Sequence, residues 1–191
     1  VAATLGQPVI VDNKAGASGK IGTDFVLVNA NDDHLFLMTN PSSHTLPGLI
    51  ERRPSFDPVR DFRPVAQIAS ATMFLAVSSA VPARTFHEFA ALARRNPGKF
   101  SYGSIGNGSA QHFFSELLKK RAGISMVHIP YRGEMPAVND LLAGTIDVYF
   151  LASAKRFENE PRIKLLAVAA NERWFNLPQI PTMAEQGLDK F

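Results

Sequence analysis

The chain has 191 residues, of which 46% are apolar and 19% are charged, and its formal net charge at pH 7 is +3. This length and apolar content allow one substantial core or two smaller lobes, which excludes a disordered chain. No run approaches the roughly 18 unbroken apolar residues of a membrane-spanning helix. The lack of cysteine excludes disulfides and thiolate metal sites.

The first part of the chain contains short apolar runs that predict strands, because they are rich in β-branched or aromatic residues and bounded by turn residues. The runs are 9–11, 35–38, 65–68 and 73–77. Residues 39–64 are rich in proline and predict a long irregular excursion. Residues 78–82 read SSAVP and predict a crossover. We therefore place a boundary between a first lobe, 1–77, and a second lobe, 78–191.

The second part alternates strand-like and helix-like runs. Thr85 and Glu88 predict a capping box, Ser109 caps a helix over 111–121, and a third helix over 136–143 stops before Gly144. Such alternation predicts an α/β fold with a largely parallel sheet and a ligand beyond the carboxyl ends of the strands. The predicted strands are 99–102, 126–129, 146–150 and 165–169.

Residues 102–112 read YGSIGNGSAQH, a glycine-rich turn without charge between a strand and a helix. The first N–H groups of a helix lack internal partners and lie at the positive end of its dipole, so the turn predicts an anion site. Because no Lys or Arg lies in it, the turn suits a carboxylate better than a phosphate. The alternative is a purely structural turn. Two further polar loops, 39–43 and 131–136, are placed to line the same cleft.

Other chemistries fit the sequence less well. The pattern from Gly106 has Gln111 where a dinucleotide fingerprint needs glycine, and Ile21 replaces the Ser or Thr of a P-loop. A hydrolase that uses Ser104 or Ser109 with His112 remains an alternative, although neither serine lies in a G-x-S-x-G motif. The histidines show no i,i+4 pair, so we expect no metal site. The basic clusters 94–95 and 119–121 fall at helix ends, where they complement the dipole, so we expect no nucleic-acid partner.

The chain resembles the solute-binding proteins of tripartite tricarboxylate transporters, the TctC or Bug receptor family. The resemblance rests on five segments in the family's order: LGQPVIVDNKAGASGKIGTDFV (5–26), FDPVRDFRPVAQIA (56–69), NPGKFSYGSIGNGSAQH (96–112), VHIPYRGEMPAVNDLLAGTIDVYF (127–150) and IPTMAEQGL (180–188). It implies a type II periplasmic binding protein-like fold in which two α/β lobes with mixed, largely parallel sheets close over a ligand.

The resemblance further implies a periplasmic receptor, not an enzyme, that captures a small carboxylate without a cofactor and delivers it to membrane permease subunits without itself inserting into the membrane. A sensory domain that binds the same ligand is an alternative. Carried over by position, the ligand contacts are Ser104, Ile105, Gly106, Asn107, Gly108 and Ser109 in the second lobe, and Ser42 and Ser43 in the first. Asp147, inside an apolar strand, is expected near the other end of the ligand, unless it is a hydrogen-bonded structural carboxylate.

The sequence also departs from the family's pattern. The family's opening strand and first glycine loop are expected before Val1, and the closing part of the first lobe after Phe191. The resemblance therefore implies a chain truncated at both ends, with an incomplete first lobe. Residues 31–34 read NDDH in place of Pro-Asp-Gly-Tyr, and 150–153 lack the usual acidic residue.

Overall fold

A computed structural model describes residues 2–14, 16–189 and 191. The helices are α1 (Ala2–Leu5), α2 (Lys20–Val28), α3 (Leu46–Ile50), α4 (Phe86–Arg95), α5 (Ala110–Ala122) and α6 (Glu134–Ala143). The strands are β1 (Met73–Ser78), β2 (Phe100–Ser104), β3 (Met126–Pro130), β4 (Val148–Leu151) and β5 (Ile163–Ala169). Two short 3-10 helices span Ala17–Gly19 and Ala154–Phe157. Within the described ranges, every helix is too short or too polar to cross a lipid bilayer.

The five strands form one sheet in the order β3-β2-β4-β1-β5. β2 runs parallel to β3 and β4, whereas β1 is antiparallel to both β4 and β5. The expected mixed, largely parallel sheet is confirmed, with β1 as the reversed strand. The carboxyl ends of β2, β3 and β4 consequently share one edge of the sheet.

Apolar layers cover both faces of the sheet. Along β4, Phe150 joins the cluster beneath α4 and α5, while Tyr149 and Leu151 join the cluster beneath α6. This alternation follows from the pleat, which directs successive side chains to opposite faces. The sheet is therefore buried on both sides, and its loops at the carboxyl edge are free to form a site.

The two capped helices begin where the sequence predicts. Thr85 Oγ1 accepts the Glu88 N–H at 3.1 Å, and Ser109 Oγ accepts the His112 N–H at 3.3 Å. The capping box differs in one detail, because the Glu88 carboxylate accepts the N–H of Arg84 at 2.7 Å rather than that of Thr85. Local side-chain chemistry thus fixes the start of α4 and of α5.

The strands expected at 9–11, 35–38 and 65–68 do not form. Most of their large apolar side chains, including Ile10 and Phe36, are exposed. A strand needs a neighbour to accept and donate its backbone hydrogen bonds, and no described residue pairs with these segments. Among the described residues before Met73, the buried ones are Thr23, Ser42, Ser43, Pro47 and Phe56.

The boundary expected between residues 77 and 78 would assign most of β1 to the first lobe. β1 instead lies between β4 and β5, with Phe74 opposite Leu151 and Val168. The division into lobes remains a prediction. We propose moving its boundary to a position before Met73, because hydrogen bonding joins the whole of β1 to the sheet of the second part.

Candidate functional site

The turn of residues 105–109 connects β2 with α5 at the carboxyl edge of the sheet. Gly106 and Gly108 have φ angles of +123° and +77°, values that residues with a side chain rarely adopt. A Cβ on Gly106 would lie 3.1 Å from Ser18 Oγ, and one on Gly108 would lie 2.5 Å from Ile50 Cδ1. The two glycines therefore let the first part of the chain pack directly on this turn, hereafter called the glycine turn.

Several amides around the glycine turn already have acceptors within the protein, which differs from the expectation of open donors. Side chains satisfy three of the four amides. The pairs are Gly106 N–H to Ser104 Oγ (3.1 Å), Gly108 N–H to His112 Nδ1 (3.1 Å), Ser109 N–H to Gly106 O (3.2 Å) and Ala110 N–H to Ser42 Oγ (2.9 Å).

Two amides of the glycine turn remain available. No described residue accepts a hydrogen bond from the N–H of Ile105 or of Asn107, and Asn107 is exposed. The N–H of Gln111, in the first turn of α5, is likewise without a described acceptor. These donors lie near the positive end of the α5 dipole, so an anion can still be held here, through fewer amides than the sequence suggested.

Ser42 and Ser43, both predicted ligand contacts, have different roles. The Ser43 hydroxyl lies within its own turn, 2.7 Å from Thr39 Oγ1 and 3.3 Å from the Asn40 carbonyl. Ser42 instead reaches across to α5 and accepts the Ala110 N–H. Its hydroxyl proton has no acceptor among the described residues. Ser42 is thus the first-lobe serine that the structure brings to the glycine turn.

Ser104 and Ser109 face the interior of the turn rather than a ligand. The Ser109 hydroxyl donates to Gly106 O at 2.7 Å and caps α5. Ser104 is buried, and its Oγ lies 2.6 Å from His128 Nε2. The two serines hold the shape of the turn, so their predicted contacts with a ligand find no support in their geometry.

A group of stacked aromatic and histidine rings, not predicted from the sequence, lies beside the glycine turn. The centroids of His112 and His128 are 4.4 Å apart, and those of Tyr102 and His128 are 4.9 Å apart. Burial, and then electrostatic repulsion from the neighbouring His112 ring, lowers the pKa of His128. Pairing β2 with β3 places Tyr102 opposite His128, so the parallel register is the signal that would have found this group.

Glu116 and Lys119 on α5 complete the polar surroundings of the rings. Tyr102 Oη donates to Glu116 Oε1 at 2.6 Å, and Lys119 Nζ donates to the same oxygen at 2.7 Å. Burial, then the bond to Glu116, raises the pKa of Tyr102. Burial alone would raise the pKa of Glu116, but the bonds from Lys119 and Tyr102 lower it. At neutral pH the carboxylate is therefore charged and the phenol neutral.

Buried polar atoms without partners lie nearby on α5 and β4. Gln111 Oε1, Ser115 Oγ and Tyr149 Oη accept or donate no hydrogen bond among the described residues. Burial and the charge of Glu134 raise the pKa of Tyr149, while contact with Gln111 opposes the shift. Gly103 makes room for this ring, since a Cβ there would lie 3.0 Å from Tyr149 Cδ2. Unpartnered buried groups of this kind often mark bound water or ligand.

Asp147 was expected either near the other end of the ligand or as a structural carboxylate, and its hydrogen bonds lie at the opposite end of β2 from the glycine turn. Its carboxylate accepts the Ser101 N–H at 2.8 Å and the Ser101 hydroxyl at 3.1 Å. Ser101 lies near the start of β2, whereas Ser104 at the other end leads into the glycine turn. The structural reading left open for Asp147 is therefore the one that the geometry favours.

The structure does not assemble the hydrolase alternative. His112 Nδ1 accepts from Gly108, and the Ser109 hydroxyl donates to Gly106, so Ser109 and His112 are not arranged as nucleophile and base. Ser104 does meet a histidine, His128, but it is fully buried. In the described part of the chain, neither histidine is hydrogen-bonded to a carboxylate that could orient it.

Two further observations concern the surroundings. Across the described residues, no three His, Asp or Glu side chains converge as metal ligands.

A cavity of about 420 Å³ opens where β1 begins and β4 ends, and its walls include Thr72, Ala152, Trp174 and Asn176. Since β4 ends at the same edge of the sheet as β2, this cavity and the glycine turn share one side of the molecule.

The sequence model of the tripartite tricarboxylate transporter family receptor, TctC, matches residues 1–191. The chain belongs to this family. A relative from Pseudomonas sp. strain P51, the UPF0065 protein in the tcbD-tcbE intergenic region, is 36% identical over 95% of this chain. The alignment covers 54% of that relative, so the chain spans about half of the relative's length.

Solved structures of similar proteins share the fold of this TctC chain. R. palustris Rpa4515 with adipate matches with a TM-score of 0.92 and 31% identity over 100% of this chain and 64% of that protein. MatC from Rhodopseudomonas palustris with bound malate matches with a TM-score of 0.90 and 27% identity, over 98% of this chain and 64% of that protein. The periplasmic binding protein BugD matches with a TM-score of 0.84 and 27% identity, over 99% of this chain and 64% of that protein. The expected periplasmic binding protein fold is thereby confirmed.

Proposed function

We propose that this TctC-family chain is a receptor that binds a small carboxylate between the segment 39–43 and the glycine turn. The contact between Ser42 Oγ and the Ala110 N–H at 2.9 Å carries this proposal. It shows that the N-terminus of α5 is directed at an oxygen from another part of the chain.

Ser42 offers a ligand a polarised donor. Its oxygen accepts the Ala110 N–H at the positive end of α5, and its own proton is uncommitted among the described residues. A hydroxyl that accepts one hydrogen bond donates a stronger one, because hydrogen bonds in a chain polarise one another. The amides of Ile105 and Asn107, in the turn that leads into α5, have no acceptor among the described residues. We therefore assign these three groups as the ligand's main donors.

The similar proteins support a carboxylate rather than another anion, since the two solved with named ligands hold adipate and malate. The glycine turn agrees, because residues 103–109 contain no Lys or Arg to neutralise a doubly charged phosphate. BugD, described as a periplasmic binding protein, supports a periplasmic location. The family description supports delivery of the ligand to the permease subunits of a tripartite transporter, with no chemical conversion.

Isothermal titration tests this function. We expect adipate, malate or a related carboxylate to bind at pH 8, whereas 1,6-hexanediol, which matches adipate in length but lacks charge, should not. Failure of a panel of mono- and dicarboxylates to bind at millimolar concentrations would contradict the proposal, as would equal binding of the diol.

A further inference from the structure

The two histidines beneath the glycine turn each hold one part of it. Gly108 donates its N–H to His112 Nδ1 at 3.1 Å. His128 Nε2 lies 2.6 Å from Ser104 Oγ, and that oxygen accepts the Gly106 N–H at 3.1 Å. The Ser104 hydroxyl can itself donate to Gly106 O at 3.1 Å. The backbone of both left-handed glycines is therefore tied to an imidazole, directly at Gly108 and through Ser104 at Gly106.

The bond from Gly108 fixes the protonation state of His112. A ring nitrogen can accept a hydrogen bond only while it carries a free lone pair, so Nδ1 is unprotonated and the proton of the neutral ring resides on Nε2. Protonation of Nδ1 would set its N–H against the Gly108 N–H. The hydrogen bond would be lost, and the glycine turn would have to move.

The neighbouring groups also bear on this protonation. On β3, the His128 ring lies 4.4 Å from that of His112, so two cationic rings would repel each other. On β2, Tyr102 contributes a neutral phenol. On α5 itself, Glu116 is negative, but its carboxylate is bonded to both Lys119 and Tyr102. These are the titratable groups that face the ring pair.

We propose that His112 is a positioning residue that keeps the glycine turn in its binding shape only while its ring is neutral, and that His128 supports the same turn through Ser104. This inference rests on the proposed carboxylate-binding function. It implies that acid weakens ligand binding over the range in which imidazoles titrate, even though a cationic ring would attract the ligand's charge. The shape of the turn, rather than the local charge, then governs affinity.

Titrations of adipate at pH 8 and at pH 6 test the proposal with matched variants. His112→Asn retains an acceptor close to the place of Nδ1 but does not titrate, whereas His112→Ala removes the acceptor. The wild type should bind adipate several-fold more weakly at pH 6 than at pH 8, because the cationic fraction loses one hydrogen bond. His112→Asn should restore most of the binding that His112→Ala lacks and show a flatter profile. His87→Asn, at an exposed position on α4, should keep the wild-type profile.

The His112→Asn profile also reports any change that comes from protonation of adipate itself. Parallel profiles for the wild type and His112→Asn would overturn the proposal, as would tighter wild-type binding at pH 6.

A second measurement needs no ligand. The Gly108 amide resonance of the free protein should shift between pH 8 and pH 6, and this shift should be absent in His112→Asn. If the amide is insensitive to pH, the positioning role is wrong whatever binds. If no carboxylate binds at pH 8 but the Gly108 amide resonance does shift with pH, the proposed function is wrong and the structural role of His112 is supported.

Discussion

The hydroxyl oxygen of Ser42 lies 2.9 Å from the amide nitrogen of Ala110, although the two residues are 68 positions apart in the chain. This contact joins the irregular segment after residue 39 to the first turn of α5. It is also the point at which an oxygen already occupies the N-terminus of that helix. The ligand-binding proposal therefore depends on this pair more than on the serines inside the glycine turn.

Replacement of Ser42 by alanine should weaken carboxylate binding by about tenfold or more, since a hydrogen bond to a charged group contributes about 1.5–3 kcal/mol. Isothermal titration with adipate measures the change. Ser43→Ala is the matched control, because the Ser43 hydroxyl bonds only within its own turn. We expect that control to lower stability while affinity stays close to the wild type. Equal losses in both variants would show that Ser42 acts through folding alone.

Replacement of Ala110 by proline should reduce binding while α5 persists. Proline is favoured at the first position of a helix, and Ser109 already has the extended backbone, φ −68° and ψ 162°, that precedes proline. The change removes one N–H, and with it the partner of Ser42. Ala110→Gly keeps the N–H and serves as the control. The account would be wrong if the proline variant, with helical circular dichroism intact, bound adipate as tightly as the glycine variant.

The sequence was a better guide to the sheet than to the site. The strands at 73–77 and 126–129 and the Ser109 cap are local features, because propensity and a three-residue spacing decide them, and they are confirmed. The apolar runs at 9–11 and 35–38 have the same local pattern but no described partner strand. Pairing with a distant segment decides whether such a run becomes a strand. The local sequence pattern carries no information about that pairing.

The same distinction explains what was missed at the site. The contact between Ser42 and Ala110 depends on how the segment 39–43 packs, and the stacking of His112 on His128 depends on the register of β2 with β3. The sequence left the role of Asp147 open because a carboxylate in an apolar strand has the same appearance in sequence at either end of the sheet.

Replacement of Asp147 by alanine should destabilise the fold by about 1–3 kcal/mol, because it leaves the Ser101 N–H without its charged acceptor. Chemical denaturation measures that loss. Adipate affinity should remain unchanged in the folded variant, since Asp147 lies at the opposite end of β2 from the glycine turn. A large loss of affinity without a loss of stability would restore Asp147 to the binding site.

The stability of the fold should fall as the pH is lowered below about 6.5, the ordinary pKa of imidazole. The pKa of His128 is lowered in the folded chain, mainly by burial. In this range His128 is protonated more readily in the unfolded chain than in the folded chain, so acid favours unfolding. Thermal melts of the wild type and of His128→Gln at pH 7.5 and 5.5 measure the effect. The variant should lose less stability; a greater loss in the variant would contradict this sign.

The most direct measurement of the central claim follows the backbone amide resonances of the chain while adipate is added. If the carboxylate is held where Ser42 meets α5, the largest shifts should occur at Ile105, Asn107 and Ala110, and Ser42→Ala should reduce them. If those resonances stay in place while adipate shifts others, such as the residues around the cavity at Trp174, the carboxylate binds elsewhere and the proposed site is wrong.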